Sequence, residues 1–236
     1  MRASRYWAVV LSAGSSVRMA LGRPKQYLPL RGRSLLEWSV APFLDAGWID
    51  GVVVVLARGD GDFPKLPIAR HPKILVVTGG PARADSVQAG LHCITAATQT
   101  LKATTFAFVH DAARPCLVVE DLERLRDEAS DDNGGLLALP ATDAIKRETR
   151  ERASATIGRS GLWRAQSPQM FRVELLSAAL QGARASGTAL DDEAAVMEQA
   201  GFKPLLVRGR ESNLKVVHPE DLPLAEFWLS RQDYAR

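Results

Sequence analysis

Short apolar runs alternate with amphipathic stretches along most of this chain, and the runs end in small or charged residues. The first run, residues 7–11, opens into Ser12, Ala13, Gly14, Ser15 and Ser16. It predicts a buried strand followed by a tight loop. Ser34 then precedes LLEWSVAPFLDAG, where Leu35, Trp38 and Phe43 roughly follow helical spacing and Gly47 supplies a stop. Residues 52–56 form a continuous aliphatic run, the pattern of a strand covered on both faces. A polar, proline-containing connection over 60–72 predicts one short helical turn. Residues 74–77 predict the next strand. Thr78-Gly79-Gly80-Pro81 is a second small-residue turn, and a helix begins at Arg83. A fourth strand, 106–109, runs into His110-Asp111-Ala112-Ala113-Arg114-Pro115. A charged amphipathic helix over 120–129 and a fifth strand over 135–139 follow.

Strands alternating with helices predict an α/β fold, a mostly parallel sheet with helices on both faces. In such sheets ligands sit beyond the carboxyl ends of strands. Three unusual segments follow strands in this way: the loop after residue 11, the segment 79–86, and the segment 111–114. Residues 140–168 break the alternation, with charges interspersed among few apolar residues. They predict a projecting hairpin or arm, with strands near 144–147 and 163–166, that packs on a second subunit. Beyond it the pattern predicts helices over 173–186 and 191–200, a strand over 204–207 and a closing helix over 219–229. The acids Asp191, Asp192 and Glu193 suit the first turn of the second of these helices.

At 236 residues the chain has the length of one large α/β domain, and the whole of 1–236 is expected to form it, with the arm at about 140–168. Lysine and arginine total 30 against 27 acidic residues, a scattered excess that argues against a nucleic-acid binder. Cys93 and Cys116 form no CxxC, and the four histidines are dispersed, so neither a redox motif nor a zinc site is expected. The first apolar run is too short to span a membrane or to serve as a signal peptide, which predicts a cytoplasmic protein.

The first loop carries the earliest chemical signal. Small residues let backbone N–H groups approach phosphate oxygens, and Arg18, Arg23 and Lys25 follow at short spacing. Neither GxxxxGK[ST] nor GxGxxG occurs there, so an ATPase loop and a dinucleotide-binding loop both lose support. Nucleotidyl transfer instead needs cations around an α-phosphate and its leaving pyrophosphate, a role that suits Arg18 and Lys25. Arg23 reads as their solvated neighbour. Asp111 closes a strand before two alanines, where a carboxylate holds Mg²⁺ between phosphates or else caps a helix. Arg114 meets an acceptor phosphate or pairs with an acid. Gly80 and Ser86 contact a base or ribose, or Ser86 merely faces its own helix turn.

Across nearly the whole chain, AGSSVRM, RPKQYLPL, TGGPARADSVQAGL, VHDAARP, GLWRAQSPQMF, DDEAAVME and GRESNLKVVHPEDL occur in one order. This ordered set closely resembles the 2-C-methyl-D-erythritol 4-phosphate cytidylyltransferase family of the non-mevalonate isoprenoid pathway. The resemblance implies a Rossmann-like nucleotidyltransferase fold and a homodimer that exchanges arms. It also implies Mg²⁺-dependent transfer of CMP from CTP to methylerythritol 4-phosphate, a polyol phosphate, with release of pyrophosphate. By motif, Arg18 and Lys25 stabilise the pentacoordinate α-phosphate. Ser12, Ala13, Gly14, Ser15 and Ser16 form the triphosphate and base loop. Gly80, Arg83, Asp85 and Ser86 fall in the cytidine-recognition segment, and Ala112 stands beside the nucleotide. Asp111 serves magnesium and substrate, and Lys215, a catalytic residue with Arg18 and Lys25, is a second phosphate and substrate contact. Arg159 grips the acceptor phosphate in the partner subunit's site, while Arg114, Ser167 and Asp191 complete the acceptor side.

Three departures bear on the acceptor more than on the nucleotide. The loop reads Leu11-Ser12-Ala13-Gly14 where the family usually has Pro-Ala-Ala-Gly, Ala144 stands where relatives often have Thr, and Asp191 replaces a common Thr. The Ala144 and Asp191 departures leave room for another alditol phosphate acceptor such as ribitol 5-phosphate. A non-catalytic nucleotide-binding regulator is the reading from a different class, and the intact Arg18, Lys25 and Asp111 oppose it.

Overall fold

The computed structural model describes residues 4–14, 24–98, 105–188 and 192–233. The chain opens with β1 (Arg5–Ser12), and a short hairpin of β2 (Pro29–Leu30) and β3 (Arg33–Ser34) leads into α1 (Leu35–Asp45). Helix α1 starts where the sequence predicts: the Ser34 hydroxyl accepts from the Glu37 N–H, and the Glu37 carboxylate accepts from the Ser34 N–H. This reciprocal cap satisfies two otherwise orphaned donors. Next come β4 (Gly51–Leu56), two turns of 3₁₀ helix over Phe63–Lys65 and Pro67–Arg70, β5 (Ile74–Thr78), α2 (Arg83–Thr98) and β6 (Thr105–Asp111). After α3 (Val119–Glu128) and β7 (Gly135–Pro140), the chain forms β8 (Ile145–Thr149), β9 (Arg152–Ile157) and β10 (Trp163–Arg172). It closes with α4 (Val173–Ala185), α5 (Glu193–Gln199), β11 (Leu205–Arg208) and α6 (Asp221–Asp233).

Seven strands form one sheet in the order β11-β7-β10-β6-β1-β4-β5. All its pairings are parallel except those of β10, which runs antiparallel to both β6 and β7. Alternate residues of the central strands enter two apolar layers. Ala8, Val10, Val52, Val54 and Phe108 face α1 and α3, and Val9, Val53, Val55 and Val109 face α2, α4 and α5. With helices on both faces, β4 and β6 are buried throughout, which explains the unbroken aliphatic run of β4. Gly90 lets α2 lie close on β1: a Cβ there would come within 2.4 Å of Val9.

A third apolar cluster lies at one end of the sheet. Leu28, Leu30, Leu35, Cys116, Val216, Ala225 and Leu229 pack α6 against the β2–β3 hairpin and the segment around Val216. Burial pushes the Cys116 thiol up to about 12, so it acts there as an inert apolar group. Leu28 lies three residues after Lys25, and Val216 directly follows Lys215. This cluster therefore sets the backbone of both lysines.

The arm differs from its predicted form. Its hairpin is β8 paired with β9, and residues 163–166 belong to β10 of the main sheet. The reason is compositional. Gln166, Ser167 and Gln169 are buried polar residues, so the middle of β10 lacks the aliphatic signature of a central strand. No residue from 141 to 165 is buried in this chain. The hairpin leaves the sheet where the Ala141 N–H donates to the Leu162 carbonyl.

Candidate active site

From β1 the chain crosses to β4 and β5 on one side, then returns to place β6 on the other side of β1. The carboxyl ends of β1 and β6 therefore flank the point where the winding reverses, the place where doubly wound sheets open a ligand crevice. Ser12, Ala13 and Gly14 lie at one strand end, and Asp111 to Arg114 at the other. The Ala112 N–H donates to the Leu11 carbonyl, joining the two ends.

Asp111 is the hub of this crevice. Arg83 Nη1 meets Asp111 Oδ1 at 2.7 Å, while Lys215 Nζ and Arg114 Nε approach Oδ2 at 3.0 and 3.5 Å. Burial disfavours the Asp111 anion, but Arg83, Lys215 and Arg114 hold its carboxyl far below the usual range. The four side chains come from the end of β6, the start of α2, the turn after β6 and the segment after β11.

Arg83 has a second acid. Its Nε and Nη2 donate to Glu193 Oε1 and Oε2, each at 3.0 Å. Burial opposes the charge on Arg83, but Glu193 and Asp111 outweigh it and raise its pKa. Burial also raises the Glu193 carboxyl, against the pull of Arg83. Glu193 occupies the first turn of α5, after Asp192, whose side chain caps the helix by accepting from the Ala195 N–H. Gln169 of β10 accepts from the Ala194 N–H and fixes the same turn.

Behind Asp111 lies a buried polar ladder. The Asp111 N–H donates to Ser167 Oγ at 3.0 Å, and Ser167 Oγ lies 3.0 Å from His110 Nδ1. His110 Nε2 faces the Arg114 carbonyl at 3.3 Å and must carry the proton there, so the Ser167 hydroxyl donates to Nδ1. Burial lowers His110 to about 4, so the imidazole is neutral at physiological pH. The Ser167 carbonyl accepts from Asn213 Nδ2, and the Asn213 carbonyl accepts from Arg114 Nη1. Burial likewise lowers the pKa of Arg114.

Lys25 reaches the same segment from the 3₁₀ turn over Lys25–Tyr27 that precedes β2. Its Nζ donates to the Val216 carbonyl at 3.1 Å, and the Val216 N–H donates to the Ala113 carbonyl at 2.8 Å. Gln26 and Tyr27 hold the turn that carries it: Gln26 Nε2 donates to the Ser12 carbonyl and the Tyr27 hydroxyl to Asp60.

Arg83, Asp111, Arg114, Ser167 and Lys215 thus meet at one place, with Lys25 joined through Val216. Ala112 is buried, and its carbonyl accepts from Ser39 Oγ. Gly80, Asp85 and Ser86 stand at the start of α2, where Ser86 Oγ faces the Gly80 carbonyl at 3.5 Å and Asp85 accepts from the Ala82 N–H. Arg159 lies in the arm, where its guanidinium donates to the Thr142 carbonyl. Ser15, Ser16, Arg18, Arg23 and Asp191 lie outside the described residues.

The site also contains residues that the motifs leave unassigned. Glu193 reads in sequence as a helix-dipole acid, and His110 as one dispersed histidine among four. Asn213 is an uncharged residue between Ser212 and Leu214. Gly79 is a close-approach point: an added Cβ would lie 2.6 Å from Ser86 Oγ and 2.9 Å from Ala13 Cβ. A glycine pair directly after a strand was the signal for it.

A model of the family 2-C-methyl-D-erythritol 4-phosphate cytidylyltransferase (IspD) matches residues 6–231. The chain is 49% identical over 226 residues to the protein of that name from Mannheimia succiniciproducens, covering 95% of this chain and 96% of the relative. It is 47% identical over 227 residues to the one from Cronobacter sakazakii, covering 95% and 93%. Among solved structures, a 4-diphosphocytidyl-2C-methyl-D-erythritol synthase superposes with a TM-score of 0.82 at 34% identity, covering 96% of this chain and 99% of that one. The 2-C-methyl-D-erythritol 4-phosphate cytidylyltransferase of Francisella tularensis gives 0.82 at 28% identity, covering 95% and 100%. The match takes in the arm, the strand-end cluster and the last helix alike, and the chain belongs to the 2-C-methyl-D-erythritol 4-phosphate cytidylyltransferase family.

Proposed function

We propose that this chain transfers CMP from CTP to 2-C-methyl-D-erythritol 4-phosphate, giving 4-CDP-2-C-methyl-D-erythritol and pyrophosphate. Family membership supports the reaction. The observation that carries it is the cation array around Asp111 at the switch point of the sheet, since Arg83, Arg114 and Lys215 gather around a single buried carboxylate. Such an array suits two phosphorylated substrates brought together.

The acceptor phosphate oxygen attacks the α-phosphorus of CTP in line. A new P–O bond forms, the bond from the α-phosphorus to the bridging oxygen breaks, and pyrophosphate carries away the electron pair. The nucleophile is already an anion, so no side chain need remove a proton. Lys25 and Arg18 stabilise the charge of the five-coordinate state, and the loop from Ser12 to Ser16 holds the triphosphate. Lys215 and Arg114 face the acceptor phosphate, and Asp111 fixes their positions.

Among the described residues, no group of three or more His, Cys, Asp or Glu side chains forms a metal site. Asp111, the carboxylate at the strand end, would hold a Mg²⁺ ion together with oxygens of the bound triphosphate. When bound, the ion neutralises phosphate charge.

The wholly exposed or half-exposed arm supports a homodimer in which arms are exchanged, so that Arg159 serves the partner's site. The chain is read as one nucleotidyltransferase domain that carries this arm. No helix among the described residues is long and apolar enough to cross a membrane, in keeping with a cytoplasmic place of action.

Pyrophosphate release tests the proposal, measured with each of the four nucleoside triphosphates and with methylerythritol 4-phosphate or ribitol 5-phosphate as acceptor. Release with CTP and methylerythritol 4-phosphate alone is expected. Preference for ribitol 5-phosphate would overturn the acceptor, and absence of release with any pair would overturn the enzyme.

A further inference from the structure

Glu193 is a carboxylate only 2% exposed, at the start of a helix whose N-cap is supplied by another residue. Burying a carboxylate costs several kcal/mol unless its partner has good geometry. Here the partner is Arg83, held along one edge by two parallel hydrogen bonds of 3.0 Å. A guanidinium is planar, so fixing the Nε–Nη2 edge fixes the direction of Nη1. That nitrogen points at Asp111 Oδ1, 2.7 Å away. Asp111 then presents its other oxygen, Oδ2, to Lys215 at 3.0 Å. The order of contacts is Glu193, Arg83, Asp111, Lys215, and it runs from helix α5 through α2 and β6 to the segment after β11.

We propose that Glu193 is a positioning residue for the acceptor side of the reaction: by gripping one edge of Arg83 it aims Nη1 at Asp111 and so holds Asp111 where it orients Lys215. Arg83, placed by its motif in cytidine recognition, spends three of its five N–H donors on these two acids and acts on the acceptor side through Asp111. The inference rests on the reading of Lys215 as an acceptor-phosphate contact. A staple that only joined α5 to α2 would need no third nitrogen on Asp111, and it would alter both substrates' constants alike or neither.

The test compares steady-state constants of Glu193→Gln with those of the wild type. Glutamine keeps the shape but removes the charge and one acceptor. The expected result is a rise in KM for methylerythritol 4-phosphate of roughly tenfold, with KM for CTP within about twofold. An equal change in both, a change in CTP alone, or no change overturns the proposal. In the same samples, the Arg83 Nε–H proton is expected as a slowly exchanging NMR signal in the wild type and is lost in Glu193→Gln. Its persistence would also overturn the proposal. If Glu193→Gln does not fold, the double variant Glu193→Met with Arg83→Met replaces the pair by apolar packing, which buried ion pairs often tolerate. That variant is expected to melt near the wild-type temperature and still lose acceptor affinity. Full recovery of the acceptor constant would make the pair a fold staple only. Failure of the wild type to release pyrophosphate would strike the functional reading instead, and the NMR comparison would still judge the grip on Arg83.

Discussion

Lys25 Nζ donates to the backbone carbonyl of Val216 at 3.1 Å, so Lys25 is hydrogen-bonded to the residue directly after Lys215. The two lysines are 190 positions apart in the chain. Both are set by the same apolar cluster, in which Leu28 and Val216 are buried with α6. Phosphoryl chemistry of this kind depends on holding two anions at a fixed separation. On the proposed assignment of Lys25 to the nucleotide and Lys215 to the acceptor, their shared backbone anchor supplies that separation.

Removing the charge of Lys25 should therefore affect turnover far more than folding. Lys25→Ala is expected to lower kcat by about 100-fold or more, the range for losing a group that meets transition-state charge. Arg18→Ala should behave similarly. Rapid-quench measurement of pyrophosphate at saturating CTP and acceptor checks this, beside a thermal melt. Near-normal turnover in both variants would remove them from the chemical step.

Val216 is fully buried, and its backbone carries both the Lys25 and the Ala113 hydrogen bonds. Val216→Ala leaves those backbone groups in place but opens a cavity beneath them. A loss of about 2 kcal/mol in urea unfolding is expected. Because the segment also carries Lys215, kcat/KM for the acceptor should fall too. A stability loss with unchanged kinetics would mean that the cluster does not set the lysines.

Gly79 lies where the turn after β5 touches the loop after β1. The side chain of Gly79→Ala would meet Ser86 Oγ at 2.6 Å and Ala13 Cβ at 2.9 Å. One of the two must shift, and the sequence motifs assign both to the nucleotide. KM for CTP is expected to rise severalfold, with the acceptor constant little changed. Isothermal titration with CTP measures the same effect without turnover.

His110 gives stability a pH dependence of definite sign. Folded His110 stays neutral down to about 4, because it is buried against Phe43, Ser167 and the Arg114 carbonyl. The unfolded imidazole takes up its proton near 6.5. Between those values the unfolded state binds more protons, so stability falls as pH falls, by up to about 3 kcal/mol. Above 6.5 this contribution is constant. Asp111, whose folded pKa is depressed, adds a further loss only as pH drops below the ordinary carboxylate range near 4. Urea unfolding of the wild type and His110→Gln across pH 4.5 to 7.5 checks it. The variant should show a flatter dependence over that range.

The sheet was legible because most of its buried strands are short apolar runs, and the Ser34 cap and the glycine turns mark their neighbours. Strand β10 was the exception. Its central residues Gln166, Ser167 and Gln169 are buried for their hydrogen bonds to Arg210, Asp111 and Ala194 rather than for apolar area. A functional strand of this kind erases the period on which strand reading depends. The cations of the site stood out by charge and motif. Glu193 did not, because an acid in a first helical turn already has an adequate local reason in the helix dipole. Only the arrangement of α5 over Arg83 gives it the second one.

The arm carries a prediction that separates shared from self-contained sites. No residue from 141 to 165 is buried in this chain, and Arg159 touches Thr142 of its own arm, whereas Lys25 sits at the crevice. If arms are exchanged, each site takes Arg159 from one subunit and Lys25 from the other. Arg159→Ala and Lys25→Ala should then each be nearly inactive alone. Mixed after reversible dissociation, they should form heterodimers in which one site lacks both groups and the other is whole. Random pairing would restore about a quarter of wild-type activity. Restoration should appear only with subunit exchange, followed by native mass spectrometry of a size-tagged partner. Exchange without any recovery of activity would place Arg159 outside the partner's site.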